Sequence, residues 1–371
     1  MRRIMMLTND FLPMIGGVAI HIDSLASALT NLGNEVIVLH VCYGNVERET
    51  ETLNGYKVIR VSAGKNLENK TSIYAKIMRY LMGLTVVRQK LKKMIVTFSP
   101  DIIHLHDYYH SSLSTKLLRR NNIPLVLTNH ASRFLEQYEK GALMHFYLKA
   151  VAAHVDGVIG PSQELTEKSK LIGKPTKFIP NGVDEKIFYP TREHRKGLLK
   201  RLGVPPNFKV ILAPRRLDPK NGLDILIQSI PEVIKSYPNT MVVIAGGGKK
   251  SLKSEYETLA KSLGVAKNLI ITGIWPHQKM QQLISSSDLV VIPSFYEAVS
   301  LAALEALSCG IPVIASNVGG LPSIISKSNG ALFNPGDYHE LAQIIKNHLK
   351  YWPATLKKGI EARATIKREY S

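Results

Sequence analysis

Apolar residues in this chain fall into short continuous runs, separated by stretches in which they recur every three or four positions. Residues 3–8 form the first run. A Gly16-Gly17 pair follows, then Ile20, Ile22, Leu25, Leu29 and Leu32 at near-helical spacing, with Gly33 as the stop. A second β-branched run at 35–41 completes a strand, helix, strand unit of the parallel kind. The alternation predicts further strands at 101–106, 124–128, 157–161 and 176–179, the last leading into the turn signal Pro180-Asn181-Gly182. A polar, basic stretch at 191–206 opens a second domain in which the pattern repeats. Strands are expected there at 210–214, 241–245, 269–272, 288–293 and 312–315, with helices at 222–236, 255–263, 279–285 and 300–307. Because the strands are continuous apolar runs, helices should cover both faces of each sheet. The expected fold class is therefore α/β, with two doubly wound parallel-sheet domains facing a cleft. Such folds bind ligands at the carboxyl ends of their strands.

A length of 371 residues suits two domains of ordinary size, and 45% hydrophobic with 21% charged residues is a globular composition. Forty-eight Lys and Arg against 29 Asp and Glu leave a net charge of +19, which points to an anionic partner: nucleic acid, a phosphorylated substrate or an acidic membrane surface. Cys42 and Cys309 lie in different halves, so neither a disulfide framework nor a zinc site is expected, and a reducing, cytoplasmic compartment is the default. Asn9 and Asp10 end the first apolar run before a signal-peptide core can form. The longest uncharged stretch, 306–326, is broken by Gly310, Pro312, Gly319, Gly320 and Pro322 and is unsuited to spanning a membrane.

Between 73 and 95, Ile73, Ile77, Leu81, Leu84, Val87 and Leu91 keep helical spacing, while Lys76, Arg79, Arg88, Lys90, Lys92 and Lys93 supply charge. Such a helix either lies on an anionic membrane or packs its apolar face on the first sheet. Met144, Phe146, Tyr147 and Leu148 add either an acceptor surface or more core.

The densest chemistry lies at 293–310. Glu297 falls in the loop after an apolar strand, and Glu305 sits two turns into the next helix among Ala302, Ala303, Leu304, Ala306 and Leu307. A carboxylate in so apolar a helix is costly without a partner. Ribose or sugar hydroxyls would serve. Between the glutamates, Ala298, Val299, Ser300 and Leu301 form a helix N-terminus suited to phosphate or sugar oxygens. The plainer alternative is a surface glutamate followed by a helix-starting one.

Two glutamates separated by seven residues, then Glu305-Ala-Leu-x-x-Gly-x-Pro-Val-Ile-Ala and Gly319-Gly320, resemble the signature of the retaining glycosyltransferases of family four, also called group 1. The resemblance extends over nearly the whole chain. Segment 11–17 is similar to the family's opening glycine loop, 100–106 with His104 and His106 to its histidine strand, and 128–130 to the next. Segment 179–184 with Phe188 is similar to its domain junction, and 216–222, 246–248, 272–273 and 330–337 follow in order.

The resemblance implies the GT-B fold, with Rossmann-like domains at 1–188 for the acceptor and 189–355 for the nucleotide sugar, and a C-terminal helix at 356–371. It implies His130 and Glu297 as catalytic residues, His130 facing the donor sugar and Glu297 on the sugar hydroxyls. Donor binding is implied for Glu305 on the ribose, Arg216 and Lys220 on the pyrophosphate, Gly16 and Gly17 beneath the phosphates, and Ala298, Val299, Ser300 and Leu301 at the helix start. The co-substrate would be a nucleotide diphosphate sugar, UDP before GDP. The acceptor would be a lipid-linked or other glycan, attacked from the front face with retention.

Three departures from the family pattern matter. Ala298-Val299-Ser300 replaces Gly-Phe-Gly; Asn221 stands in a lysine's place, with Lys220 one residue early and Arg215 as a substitute; and the chain stops at Arg368-Glu369-Tyr370-Ser371, so the family's return helix is expected to be shortened or missing. No Asp-x-Asp occurs, so no metal and no cofactor are expected, and cations and helix dipoles must stabilise the leaving group. Neither a dinucleotide-binding glycine fingerprint nor a P-loop occurs. A nucleic-acid partner is not expected, since Tyr108 and Tyr109 lack the basic company of a stacking platform. The alternatives are a nucleotide-sugar epimerase of the same fold and a non-catalytic sugar- or nucleic-acid-binding protein. The expected location is cytoplasmic, at the inner membrane face if the basic helix docks there.

Overall fold

The computed structural model describes residues 1–13, 16–42, 46, 48–62, 73–106, 121–130 and 153–370, with side chains of the helix at Ile73–Thr97 from residue 85 onward. The segment 143–151 and Tyr108 and Tyr109 lie outside the described residues. The chain forms two compact units, 1–180 and 181–371.

In the first unit, β1 (Arg3–Thr8), β2 (Glu35–Cys42), β3 (Thr50–Leu53), β4 (Tyr56–Ser62), β5 (Ile102–Leu105), β6 (Leu125–Thr128), β7 (Gly157–Gly160) and β8 (Thr176–Phe178) make one sheet. Its order is β3-β4-β2-β1-β5-β6-β7-β8, parallel except for β3. The central strand β1 places Met5 opposite Ile37 on one side and Ile103 on the other, and Met5, Met6 and Leu7 are fully buried. The hairpin of β3 and β4 was not anticipated. It turns at Asn54 and Gly55, whose φ values of 46° and 86° suit a two-residue turn.

Helices α1 (Gly17–Asn31), α2 (Ile73–Thr97) and α3 (Gln163–Lys170) belong to this unit. In the described half of α2, Val87, Leu91 and Met94 are buried while Arg88, Lys92 and Lys93 are exposed. Of the two readings of the basic helix, this half follows the core-packing one.

The second unit has a six-stranded, all-parallel sheet of order β11-β10-β9-β12-β13-β14, built from β9 (Lys209–Ala213), β10 (Thr240–Ala245), β11 (Leu269–Gly273), β12 (Leu289–Ile292), β13 (Val313–Ser316) and β14 (Gly330–Phe333). The helices are α4 (Arg195–Leu202), α5 (Leu223–Ser236), α6 (Lys250–Ser262), α7 (His277–Ser285), α8 (Leu301–Ser308), α9 (Leu321–Ile324), α10 (Tyr338–Lys350) and α11 (Trp352–Glu369). Helix α6 starts five residues and α7 two residues before the expected positions, because their first turns are polar and carry no apolar period.

Phe188, expected at the end of the first domain, is buried in the core of the second unit beside Leu199 and Leu307. Helix α11 starts at Trp352, so the division expected after residue 355 falls within it. On α11, Arg363 donates to the carbonyls of Phe188 (3.0 Å) and Glu185 (3.3 Å), and the Val183 amide donates to Tyr370 O (2.9 Å). Among the described residues no helix is long and apolar enough to cross a membrane.

If the α2 face is core, Leu91→Ala should destabilise the first unit by about 2–5 kcal/mol, whereas Lys92→Gln should be nearly neutral. Far-UV circular dichroism during urea unfolding measures both. Equal stability of the two variants would contradict the packing described.

Candidate active site

In the second sheet the first strand, β9, lies between β10 and β12, so the connections leaving β9 and β12 part in opposite directions and open a crevice at their carboxyl ends. The connecting loops are joined there backbone to backbone. The Phe295 amide donates to Lys220 O (2.8 Å), Gly320 N to Glu297 O (3.2 Å) and Leu217 N to Gly247 O (2.8 Å). Two glycines make these approaches possible: Gly222 (φ 60°), where a Cβ would strike the Pro293 carbonyl, and Gly319 (φ 54°), where it would strike that of Glu297.

Arg215 sits where these loops meet. Its Nη2 donates to Asn221 Oδ1 and Ser294 Oγ, both at 2.8 Å, and to the Glu297 carboxylate; both members of that ion pair are largely buried. Among the described residues its Nε is buried without a partner. Asn221 is buried too, and its Nδ2 donates to Arg216 O (2.8 Å). Arg216 and Lys220, the expected diphosphate clamp, are exposed. The arginine brought to Glu297 is thus Arg215. The tandem Arg215-Arg216 offers no difference of type from which to choose, but the short Asn221 leaves an amide oxygen that the first guanidinium reaches.

Glu305, only 6% exposed, shares a 2.9 Å hydrogen bond with Nε2 of His277, the first residue of α7. The partner its burial demands is therefore present within the protein. His277 also contacts the Phe188 ring, at 5.5 Å between centroids. Sequence reasoning missed His277, which lies 28 positions from Glu305 in no recognisable motif. At the start of α8, Ser300 caps the helix by accepting from Ala303 N (3.3 Å), while Val299 and Leu301 pack on the core. The Ala298-Val299-Ser300 departure is thus anchored by Val299 and capped by Ser300.

In the first unit β1 lies between β2 and β5, which sets another such switch point beside the start of α1. Gly16 caps α1 in an extended conformation (φ −152°), and a Cβ there would only touch the Asp10 carboxylate at 3.7 Å; at Gly17 it would meet nothing within 4 Å among the described residues. Among the described residues neither backbone nor packing demands glycine at these two positions.

Around this point cluster imidazoles. His106 Nδ1 and His130 Nε2 are 3.0 Å apart, and His104 Nε2 is 2.7 Å from Thr128 Oγ1. The His104 and His106 rings lie 4.1 Å apart, as residues two apart on one strand face should. His21 of α1, not anticipated, has its ring 4.9 Å from that of His130 and 5.7 Å from that of His106. Burial pushes His21 down to about 4 and, with His21 nearby, His104 to about 3; burial and then Arg60 bring His40 of β2 to about 4. Burial and the neighbouring imidazoles hold His106 well below the usual range, and likewise His130.

Comparison with known proteins gives two family matches: Glycosyltransferase Family 4 over residues 15–187 and Glycosyl transferases group 1 over residues 195–365. An uncharacterized glycosyltransferase of Methanocaldococcus jannaschii is 29% identical over 365 residues, covering 94% of this chain and 90% of its own. A phosphatidylinositol N-acetylglucosaminyltransferase chain from Arabidopsis thaliana is 26% identical, covering 100% and 78%. Among solved structures, sucrose-phosphate synthase from Thermosynechococcus elongatus superposes with a TM-score of 0.85 at 22% identity, covering 100% and 95%. Anabaena HepE in complex with UDP and glucose gives 0.80 at 20% identity, covering 100% and 96%.

The buried imidazoles make the first unit acid-sensitive. His21, His40 and His104 are neutral in the fold but take up protons near the ordinary 6.5 once unfolded, so their contribution to stability is full above about 6.5 and is lost as pH falls toward about 4. Each such group contributes a slope of up to about 1.4 kcal/mol per pH unit. Urea unfolding at pH 7.5 and 5.5 should show the circular-dichroism midpoint falling more than the fluorescence midpoint, since Trp275 and Trp352, the only tryptophans, report the second unit. Equal shifts would contradict this.

Proposed function

We propose that this chain, which belongs to the group 1 glycosyltransferases of family four and has their GT-B fold, moves a hexose from a nucleoside diphosphate sugar to a lipid-linked or membrane-surface glycan. In this reading transfer retains the anomeric configuration, needs no divalent metal, and uses UDP before GDP. The contact of Arg215 with Glu297 at the switch point of the second sheet carries the reading. It holds a carboxylate in a fixed place beside a helix N-terminus.

Each part then has a task. Glu297 orients the sugar hydroxyls, and Glu305, kept in place by His277, takes the ribose. The exposed cations Arg216 and Lys220, the unpartnered Nε of Arg215 and the amides of Ala298, Val299, Ser300 and Leu301 receive the diphosphate charge. Gly16 and Gly17, free of steric demand from the described residues of their own unit, leave room for phosphate oxygens. His130 is assigned to the sugar. The acceptor hydroxyl oxygen bonds to the anomeric carbon as the bond from that carbon to the diphosphate oxygen breaks on the same face, and the acceptor proton passes to the departing diphosphate.

UDP is supported by the complex of Anabaena HepE, and a lipid acceptor by the name of the Arabidopsis relative. In the first unit Arg60, Lys90 and Lys93 line a groove with Val46, Glu49, Ser62 and Gln89, which suits an anionic acceptor head group. With the exposed Arg88 and Lys92, that groove favours work at the inner face of a cytoplasmic membrane.

Turnover with a UDP-hexose should persist in excess chelator, and Arg216→Ala or Lys220→Ala should each lower it by about 10²- to 10³-fold. Abolition by chelator with rescue by magnesium would overturn the metal-free reading. Release of an altered nucleotide sugar without acceptor would overturn transfer in favour of epimerisation.

A further inference from the structure

Apart from His130, the imidazole cluster of the first unit has no part in the transfer proposed above. One nitrogen from each of His21, His106 and His130 lies within 4.8 Å of the others. Among the described residues His21 Nε2 and His106 Nε2 are buried and without a hydrogen-bond partner. A buried polar atom left unpaired is unfavourable by about 1–3 kcal/mol, and the unpaired Nε2 of His21 is one that a ligand held together with His106 Nδ1 and His130 Nε2 would satisfy. Among the described residues no carboxylate completes the group, and three neutral rings offer lone pairs rather than positive charge. They suit a cation that prefers nitrogen, not an anion.

We propose that His21, His106 and His130 form a binding site for a divalent transition metal ion of the zinc class. Metal–nitrogen bonds of about 2.0–2.1 Å at tetrahedral angles put two ligand nitrogens about 3.3 Å apart. His106 Nδ1 and His130 Nε2 already stand 3.0 Å apart, one and two residues beyond the paired strands β5 and β6. The His21 nitrogen, on α1, closes the remaining distance of up to about 1.5 Å by side-chain rotation. The shared N–H···N bond is replaced by two metal–nitrogen bonds, and its proton moves to the other nitrogen of the same ring, so the three ligands stay neutral and no redox change occurs. Three protein ligands leave a fourth position for water.

The site has a consequence that rests on the function proposed above. His130 cannot both ligate an ion and attend the sugar, so the ion inhibits transfer that itself needs no metal. Zinc should lower turnover and chelator should restore it.

The test separates the two claims, because binding is read with neither donor nor acceptor present. Co²⁺ added to the full chain should give, at one equivalent, the intense visible absorption of a tetrahedral nitrogen-ligated ion, and Zn²⁺ should abolish it. His21→Gln, whose folding is checked by circular dichroism, should weaken binding by at least the ~10–100-fold that loss of an outer-shell partner costs. His339→Gln, at an exposed histidine paired with Glu232, should bind as the parent does. A parent chain that gives only the weak spectrum of hydrated Co²⁺, or a His21→Gln chain that binds with unchanged affinity, would overturn the site. If His21→Gln fails to fold, the parent spectrum and its displacement by Zn²⁺ still decide. Binding without inhibition would leave the metal site standing and count against the role of His130.

Discussion

The contact of the Arg215 guanidinium with the Glu297 carboxylate is the constraint on which the second unit's site depends. Two opposite charges in largely buried surroundings hold each other's position, and removing one leaves the other uncompensated at a cost far above that of an exposed pair. Asn221 and Ser294 take up the same guanidinium nitrogen, so the loops after β9 and β12 cannot shift separately. The backbone approaches at Gly222 and Gly319 remove the remaining freedom. What results is a carboxylate fixed to one place at the mouth of α8, the kind of preorganisation that a charge-developing reaction needs.

The two units solve similar problems with opposite chemistry. At its switch point the second unit concentrates charge, Arg215 against Glu297 and His277 against Glu305. The first unit concentrates neutral imidazoles and two glycines that the packing of its described residues does not require. Both arrangements follow from the same topology, in which the first strand lies inside the sheet with later strands on either side of it. The chemistry differs because side chains at the strand ends differ, while the sheets position them alike.

Much of this was legible in the chain, and the reasons are physical. Parallel strands covered by helices on both faces read as unbroken apolar runs, so β1, β2, β9, β10 and β12 fell where the pattern placed them. Glu297 and Glu305 were found because loop and helix spacing are local. The β3–β4 hairpin was not, since Thr50–Leu53 is mostly exposed and lacks an apolar run; its one signal was the Asn54-Gly55 dipeptide. The partners of the glutamates were beyond reach: Arg215 and His277 meet them across 82 and 28 positions, and no periodicity encodes such pairings. A resemblance pointed to Arg216, and only the fold showed its neighbour in contact.

A double-mutant cycle on transfer itself tests the dependence most directly. kcat/KM would be measured for the parent, Arg215→Ala, Glu297→Ala and the double variant. If Arg215 acts by holding Glu297, the double variant should be about as impaired as the worse single one, with an interaction energy in the range of about 0.5–3 kcal/mol found for residues in contact. Losses that simply multiply would show that the two residues act independently and would contradict the account.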